Sequence, residues 1–321
     1  MIECKYYFSG TEFVYLRPNI MICTMNNRTE KKLYHVHYQA KELMYCLEHE
    51  GARRLFTFAA QRGYRPSMVK LGMIYYMGRG VEPDIVKAMH WFRLAADKGS
   101  RAACLNYAHA CCAYASINKE KASLMNELAW EYYSRSAKKD GRYYFYLGLM
   151  CYEGRFGTDN ETRHHIKSSM LFFAEALSHG NPEASLYLWK VSTMRGEPNE
   201  EYYEEGMRIL KENGKSRDYN NWAYSLCQWG EYKKALPFIE ECLRMDPDDM
   251  KNPNYLDTYG ECLYGLGRKI KAKKVFEECL YIYCRHDERK SIRDTQDKIT
   301  RLFGTPMSLP GSEDKYGKEQ I

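Results

Sequence analysis

Apolar and small side chains recur at helical spacing in two runs between residues 71 and 99, the most regular stretch of the chain. The first run ends at Gly78-Arg79-Gly80, and glycine readily takes the positive φ that a tight turn between helices needs. In the second run, one helix face carries Ala88, Trp91, Phe92, Ala95 and Ala96. Small residues allow a neighbouring helix to approach closely, and large rings fill the remaining space. The pattern therefore predicts two short helices joined by a tight turn.

The same pattern recurs along the chain at intervals of about one helix pair, which is typical of stacked helical repeats. One repeat earlier, the equivalent positions hold Ala52, Leu55, Phe56, Ala59, Ala60 and Gly63. Later units are recognisable around Ala129–Ala137, Leu147–Gly180 and Glu183–Asn213. The pattern predicts an all-α chain of roughly seven helix pairs, followed by a final amphipathic helix over Arg285–Leu302 that caps the stack.

The unit at residues 71–99 resembles the Sel-one-like repeat, a slightly longer relative of the tetratricopeptide repeat. From residue 215 onward the chain is similar to the tetratricopeptide repeat itself, with Trp222, Ala223, Leu226, Gly230, Tyr232 and Ala235 in one unit and Tyr259, Gly260, Leu263, Gly267, Ala272 and Phe276 in the next. This resemblance implies a right-handed α-α superhelix, or solenoid. It also implies that the first helix of each pair lines the concave side.

The pattern divides the chain into four segments. Residues 1–32 lack the repeat and are predicted to form an arm or a small β-hairpin. Residues 33–214 hold the Sel-one-like repeats, and residues 215–302 hold the tetratricopeptide repeats with the capping helix. Residues 303–321 combine Pro and Gly with charged residues, which predicts a disordered tail.

Charge and hydropathy narrow the class of partner. The net charge is +6, and the stretch from Arg53 to Arg101 holds ten Lys or Arg against three Asp or Glu. These cations form either solvated helix faces or a surface for a partner of opposite charge. No apolar run reaches the length of a membrane helix, and the first residues lack the layout of a signal peptide. We therefore expect a cytoplasmic protein that does not engage the membrane, and nucleic acid is not favoured because no nucleic-acid module is present.

Candidate chemistry is sparse. The twelve cysteines show no regular spacing and are predicted to be reduced, buried residues that act as small apolar side chains. His35 and His37 are interpreted as surface or interhelical polar residues. Cys111 and Cys112 follow His109 on one helix, where adjacent side chains point in different directions and make a shared metal site poor. We predict no metal, no cofactor and no enzymatic activity.

The expected function is a scaffold or adaptor that binds a protein or peptide partner in the concave groove. The alternative is a regulatory sensor, without catalytic activity of its own, in which a peptide or small ligand tightens or loosens the superhelix. The predicted groove residues are non-core positions of first helices: Lys70, Tyr76, Asn106, Tyr143, Tyr146, Tyr187, Asn220, Asn221, Tyr224, Asp257 and Glu261.

Overall fold

A computed structural model of the chain describes residues 28–155, 162–246 and 252–304. Within these ranges the chain forms fifteen α-helices and no β-sheet, which confirms the predicted all-α class. In chain order the helices are α1 (Arg28–Tyr45), α2 (His49–Gln61), α3 (Arg65–Met77), α4 (Ile85–Asp97), α5 (Arg101–Ile117), α6 (Ala122–Ala137), α7 (Tyr144–Tyr152), α8 (Thr162–Ser178), α9 (Pro182–Met194), α10 (Glu200–Asn213), α11 (Ser216–Gln228), α12 (Tyr232–Met245), α13 (Pro253–Gly265), α14 (Lys269–Arg285) and α15 (Arg289–Phe303).

The chain divides into two compact units, Met1–Leu71 and Gly72–Ile321, and the boundary falls inside α3. In the first unit the ring of His37 contacts the ring of Phe56 at a centroid distance of 5.3 Å, and its Nδ1 lies 2.9 Å from Ser67 Oγ. Burial lowers the pKa of His37 to about 4, so this side chain is neutral near pH 7. The interpretation of His37 as an interhelical polar residue is confirmed.

Within the described ranges the helices follow one another as seven pairs, from α1 with α2 to α13 with α14, and α15 follows the last pair. This number agrees with the prediction for the part of the chain that the structure describes. In the second unit the two helices of a pair make the most extensive contacts, as in α5 with α6, α11 with α12 and α13 with α14. The apolar core accordingly lies between the two layers of helices.

A glycine on the first helix sets the spacing within several pairs. In three pairs it faces a fully buried phenylalanine ring on the second helix: Gly72 with Phe92, Gly148 with Phe173, and Gly260 with Phe276. A Cβ atom at Gly148 would lie 2.6 Å from the Phe173 ring, well inside van der Waals contact. The first helix can approach this closely because its glycine has a hydrogen atom where any other residue has a side chain.

The structure corrects the predicted start of the capping helix. Arg285 ends α14, and α15 begins at Arg289 instead of Arg285. The reason is Asp287, whose φ of 45° lies in the left-handed region and interrupts a right-handed helix.

Parts of the predicted end segments lie outside the described residues. For the arm or hairpin at 1–32 this applies up to residue 27, and residues 28–32 belong to α1. For the tail at 303–321 it applies from residue 305 onward. Phe303 ends α15, and Gly304 follows it with a φ of 76°.

The cysteines of the described ranges form no disulfide, and seven of them are buried. Cys242 and Cys279, at the position where the tetratricopeptide pattern has a small residue, are completely buried. Burial raises the pKa of the Cys242 thiol to about 12, so the thiol stays protonated at neutral pH. These cysteines act as small core residues, as predicted.

Replacing Gly148 by alanine is expected to lower the free energy of unfolding by about 1–2 kcal/mol, because overpacking a core outweighs the better helix propensity of alanine. The shift of the urea unfolding midpoint measures this effect. In the Phe173→Leu background the same replacement should cost less, because leucine leaves more room for the added methyl group. An equal cost in both backgrounds would show that the ring does not set the helix spacing.

Candidate functional site

The first helices of the pairs lie on the inner side of the bend in the second unit. Among them, α9 packs on α11 and α11 packs on α13, whereas the consecutive second helices α10 and α12 contact each other less. In a curved double layer the more closely spaced layer is the inner one. We call the inner side of α9, α11 and α13 the first-helix face; it carries Glu183, Tyr187, Asn221, Tyr224 and Glu261.

Polar side chains connect neighbouring repeats along the first-helix face. Asn221 on α11 donates a hydrogen bond from Nδ2 to Glu183 Oε2 on α9, over 3.0 Å. Gln228, at the end of α11, donates from Nε2 to Glu261 Oε2 on α13, over 3.4 Å. Each acidic group on this face is thereby held by an amide of the adjacent repeat.

Glu183 is the most perturbed acid of this network. It lies in the first turn of α9, where Asn181 caps the helix by accepting a hydrogen bond from the Glu183 backbone N–H over 2.9 Å. Burial raises the pKa of Glu183 to about 7, although the hydrogen bond from Asn221 acts in the opposite direction. The carboxyl group therefore changes its charge near neutral pH.

The acids of α13 are neutralised by the last helix. Lys298 on α15 places Nζ 2.5 Å from Asp257 Oδ2 and 2.8 Å from Glu261 Oε1. All three side chains are largely buried, with exposed fractions of 18% for Lys298, 21% for Asp257 and 16% for Glu261. Burial raises the pKa of Asp257, whereas the two carboxylates raise the pKa of Lys298 against the effect of its own burial. Asp257 and Glu261 therefore attach α15 to the preceding pair.

An aromatic strip of Tyr152, Tyr187 and Trp229 crosses three successive first helices or their ends. The ring of Tyr187 contacts Tyr152 at 5.6 Å and Trp229 at 5.0 Å, both edge-on. Lys190 holds its ammonium group 5.1 Å from the Trp229 ring. Tyr224, less than two turns before Trp229 on α11, exposes 46% of its surface.

A second aromatic cluster joins α5, α6 and α7. Tyr146 stacks on Tyr133 at 5.2 Å and meets His109 edge-on at 4.8 Å, and Tyr143 stacks on its other side at 6.2 Å. His109 Nδ1 lies 2.8 Å from Tyr133 Oη, and burial lowers the pKa of His109 to about 4. Tyr146 is thus engaged in contacts between repeats, and Tyr143 packs on Tyr146.

The remaining predicted groove residues are not among those that define this face. Lys70 is exposed and belongs to the first unit. Tyr76 has the ammonium group of Lys290 5.8 Å from its ring. Asn106 is partly buried on α5, and Asn220 has a buried Oδ1 that no hydrogen bond satisfies within the described residues.

Three residues on or beside the first-helix face escaped the sequence analysis: Glu183, Lys298 and Trp229. In the sequence, Glu183 has the position of an acidic residue at a helix start, and Lys298 has that of a charged surface residue on a capping helix. Neither position indicated a further role. One signal was available for Glu183, which precedes Tyr187 by four positions and therefore shares its side of α9. The partners of Lys298 lie 37 and 41 positions away, beyond the reach of any helical periodicity.

No group of three or more His, Cys, Asp or Glu is arranged to hold a metal ion among the residues that the structure describes. In the same residues, every helix falls short of the length and apolar character needed to span a membrane.

Residues 65–100, which cover α3, its turn and α4, match the family model of the Sel1 repeat. This all-α chain of helix pairs contains one stretch that matches the Sel1 repeat. A curated relative, the ERAD-associated E3 ubiquitin-protein ligase component HRD3A of Arabidopsis thaliana, is 45% identical over 47 residues, which is 14% of this chain and 7% of the length of that protein. Sel1-repeat proteins bind protein partners, and their solenoids are generally non-catalytic.

Two solved structures are similar to this chain at low identity. The Sel1 repeat protein from Oxalobacter formigenes is 17% identical with a TM-score of 0.43, and the match covers 82% of this chain and 98% of that one. PilF of Pseudomonas aeruginosa is 18% identical with a TM-score of 0.34, covering 75% and 92%. The fold assignment itself rests on the helix pairs of this chain.

Glu183→Gln is expected to stabilise the protein, and the gain should depend on pH. The folded-state pKa of about 7 lies above the ordinary value of 4.5, so the unfolded chain releases this proton first and folding is penalised as pH rises. The gain should be small below pH 4.5, grow between pH 4.5 and 7, and reach about 1–3 kcal/mol above that range.

Urea unfolding at pH 4, 6 and 8 measures this trend, with the exposed Glu204→Gln on α10 as the matched control. A gain that is the same at all three pH values would rule out ionisation of Glu183 as its cause.

Proposed function

We propose that this chain is a scaffold or adaptor that binds a protein or peptide segment along the first-helix face. The observation that carries the proposal is the aromatic strip of Tyr152, Tyr187 and Trp229, which crosses adjacent repeats next to the exposed Tyr224. Tyrosine and tryptophan dominate binding energy at protein interfaces because they bury large areas at low entropic cost.

The polar groups beside this strip favour a peptide ligand. Asn221 and Gln228 lie on the same side of α11 as Tyr224, at the spacing of one helical turn. Amide side chains both donate and accept hydrogen bonds, which suits the backbone of an extended segment. We assign direct contact to Tyr187, Asn221 and Tyr224, and a supporting role to Asp257 and Glu261, whose carboxylates bind Lys298.

The proposal includes no catalytic step. His109 is held neutral against Tyr133, and the thiols near it, Cys111 and Cys112, have pKa values that burial raises. Neither an activated nucleophile nor a base poised near pH 7 arises from this cluster.

Tyr224→Ala is expected to weaken binding by about tenfold or more, the effect of removing an interface aromatic worth more than 1 kcal/mol. Peptides selected from a display library on the intact chain serve as ligands, and fluorescence anisotropy gives the dissociation constants. Tyr281→Ala is the matched control, because Tyr281 on the second helix α14 exposes 54% of its surface. Peptides that lose affinity with Tyr281→Ala but not with Tyr224→Ala would place the site elsewhere.

A further inference from the structure

Two segments far apart in the sequence meet at the ends of the second unit. The turn after α3 pairs with the connection before α15 through an antiparallel bridge between Arg79 and Glu288. The Gly80 N–H donates to the Asp287 carbonyl oxygen over 3.2 Å, and the Arg289 N–H donates to the Gly78 carbonyl oxygen over 3.3 Å. We call the contact between residues 78–82 and 287–293 the end clasp.

An ion pair between the half-buried Arg79 and the buried Glu288 lies at the centre of the end clasp. Arg79 donates from Nε to Glu288 Oε1 over 2.9 Å, and Ser291 Oγ donates to Glu288 Oε2 over 3.2 Å. Glu288 exposes 6% of its surface. Removing one partner of such a pair leaves an uncompensated buried charge, so Arg79 and Glu288 support the contact together.

Exposed ion pairs surround this centre. Glu82 accepts from Arg289 Nη1 over 2.7 Å and from Arg293 Nη2 over 3.3 Å. Such pairs contribute little individually and weaken with salt. The charges of α15, interpreted from the sequence as a solvated cap surface, therefore bind the first repeat of the same unit.

The end clasp turns a linear stack into a closed path. Helix contacts run from α4 through α14 to α15, and the clasp returns from α15 to the turn before α4. Because the first helices form the inner layer of the bend, the first-helix face lies on the inside of this path. The closed path then limits the access of large molecules to Tyr224, in addition to the side chains that surround Tyr224.

We propose that the end clasp closes the second unit around the first-helix face and selects an extended, flexible peptide segment, not a folded domain, as its partner. The inference rests on the proposed function for the identity of the binding face. An extended chain is thin enough to lie along the inner helices of a closed path, whereas a folded domain requires the clasp to open.

Maleimide labelling tests this access without any natural partner. A cysteine is introduced by Tyr224→Cys on the first-helix face, or by Tyr281→Cys on α14 as the matched control, in a Cys46→Ser, Cys284→Ser background whose residual reaction is subtracted. Three probes are used: a free maleimide, a maleimide on a linear polyethylene glycol chain, and a maleimide on a small folded domain.

With the clasp intact, the first two probes should label both sites, whereas the folded probe should label the Tyr224→Cys site about tenfold or more slowly than the control, as for a minor open state. Arg79→Ala with Glu288→Ala should abolish that difference. Glu82→Lys, which places a third cation beside Arg289 and Arg293, is a milder opening variant if the double variant does not fold.

An engineered disulfide tests the end clasp itself. Residues that face each other between two ladder bonds of an antiparallel pair have Cα atoms roughly 4.5 Å apart, within the range of a disulfide. Arg79→Cys with Glu288→Cys should therefore oxidise to a cross-link that peptide mapping detects, and Arg79→Cys with Asp297→Cys should not. In the locked form the folded probe should stay excluded from Tyr224→Cys.

The outcomes separate the two proposals. Failure of the cross-link, or equal labelling of both sites by the folded probe with the clasp intact, would overturn the closure. Intact closure, combined with peptides whose affinity is indifferent to Tyr224→Ala, would overturn the proposed binding face and leave the clasp standing.

Discussion

The contact on which the rest of this structure depends is the approach of a glycine on one helix to a phenylalanine ring on its partner. It recurs in the pairs α3 with α4, α7 with α8, and α13 with α14, through Gly72, Gly148 and Gly260. Dispersion attraction falls steeply with distance, so a helix that stands off by one side chain loses much of its packing. The glycine thereby fixes the distance between the two helices of each of these pairs.

Polar side chains of different repeats also meet on the inner side. Glu183 and Asn221 belong to different repeats yet lie 3.0 Å apart, and Lys298 reaches two acids of the preceding first helix. A carboxylate buried in this way costs stability, as the raised pKa of Glu183 shows. An apolar residue would cost less there, and proteins concentrate such penalties at functional positions. The cost therefore supports a binding role for the same surface that exposes Tyr224.

The helices, their turns and their pairing could be predicted from the sequence, since each depends on residues that are close together in the chain. Helical spacing and the Gly78-Arg79-Gly80 turn identify a pair, and repetition identifies the stack. Of the predicted groove residues, Tyr187, Asn221 and Tyr224 lie on the first-helix face, whereas Tyr146 packs between repeats and Lys70 lies in the other unit. Their role in binding stays a prediction. Glu183 and Lys298 were missed because their roles come from partners on other helices. The start of α15 was misplaced because an aspartate at position 287 does not by itself indicate a positive φ.

The end clasp changes how the stability of this stack is composed. In an open solenoid each repeat contacts its neighbours alone, and stability is a sum of repeat and interface terms. The bridge between Arg79 and Glu288 adds a stabilising contact between repeats that are not neighbours. This contact forms only when every repeat between them is folded. Loosening any repeat then weakens the clasp, and releasing the clasp lets the intervening repeats adjust their curvature. A ligand bound on the inner face would therefore act on the same equilibrium as the contact between the ends, and such a shared equilibrium is what coupling between distant sites requires.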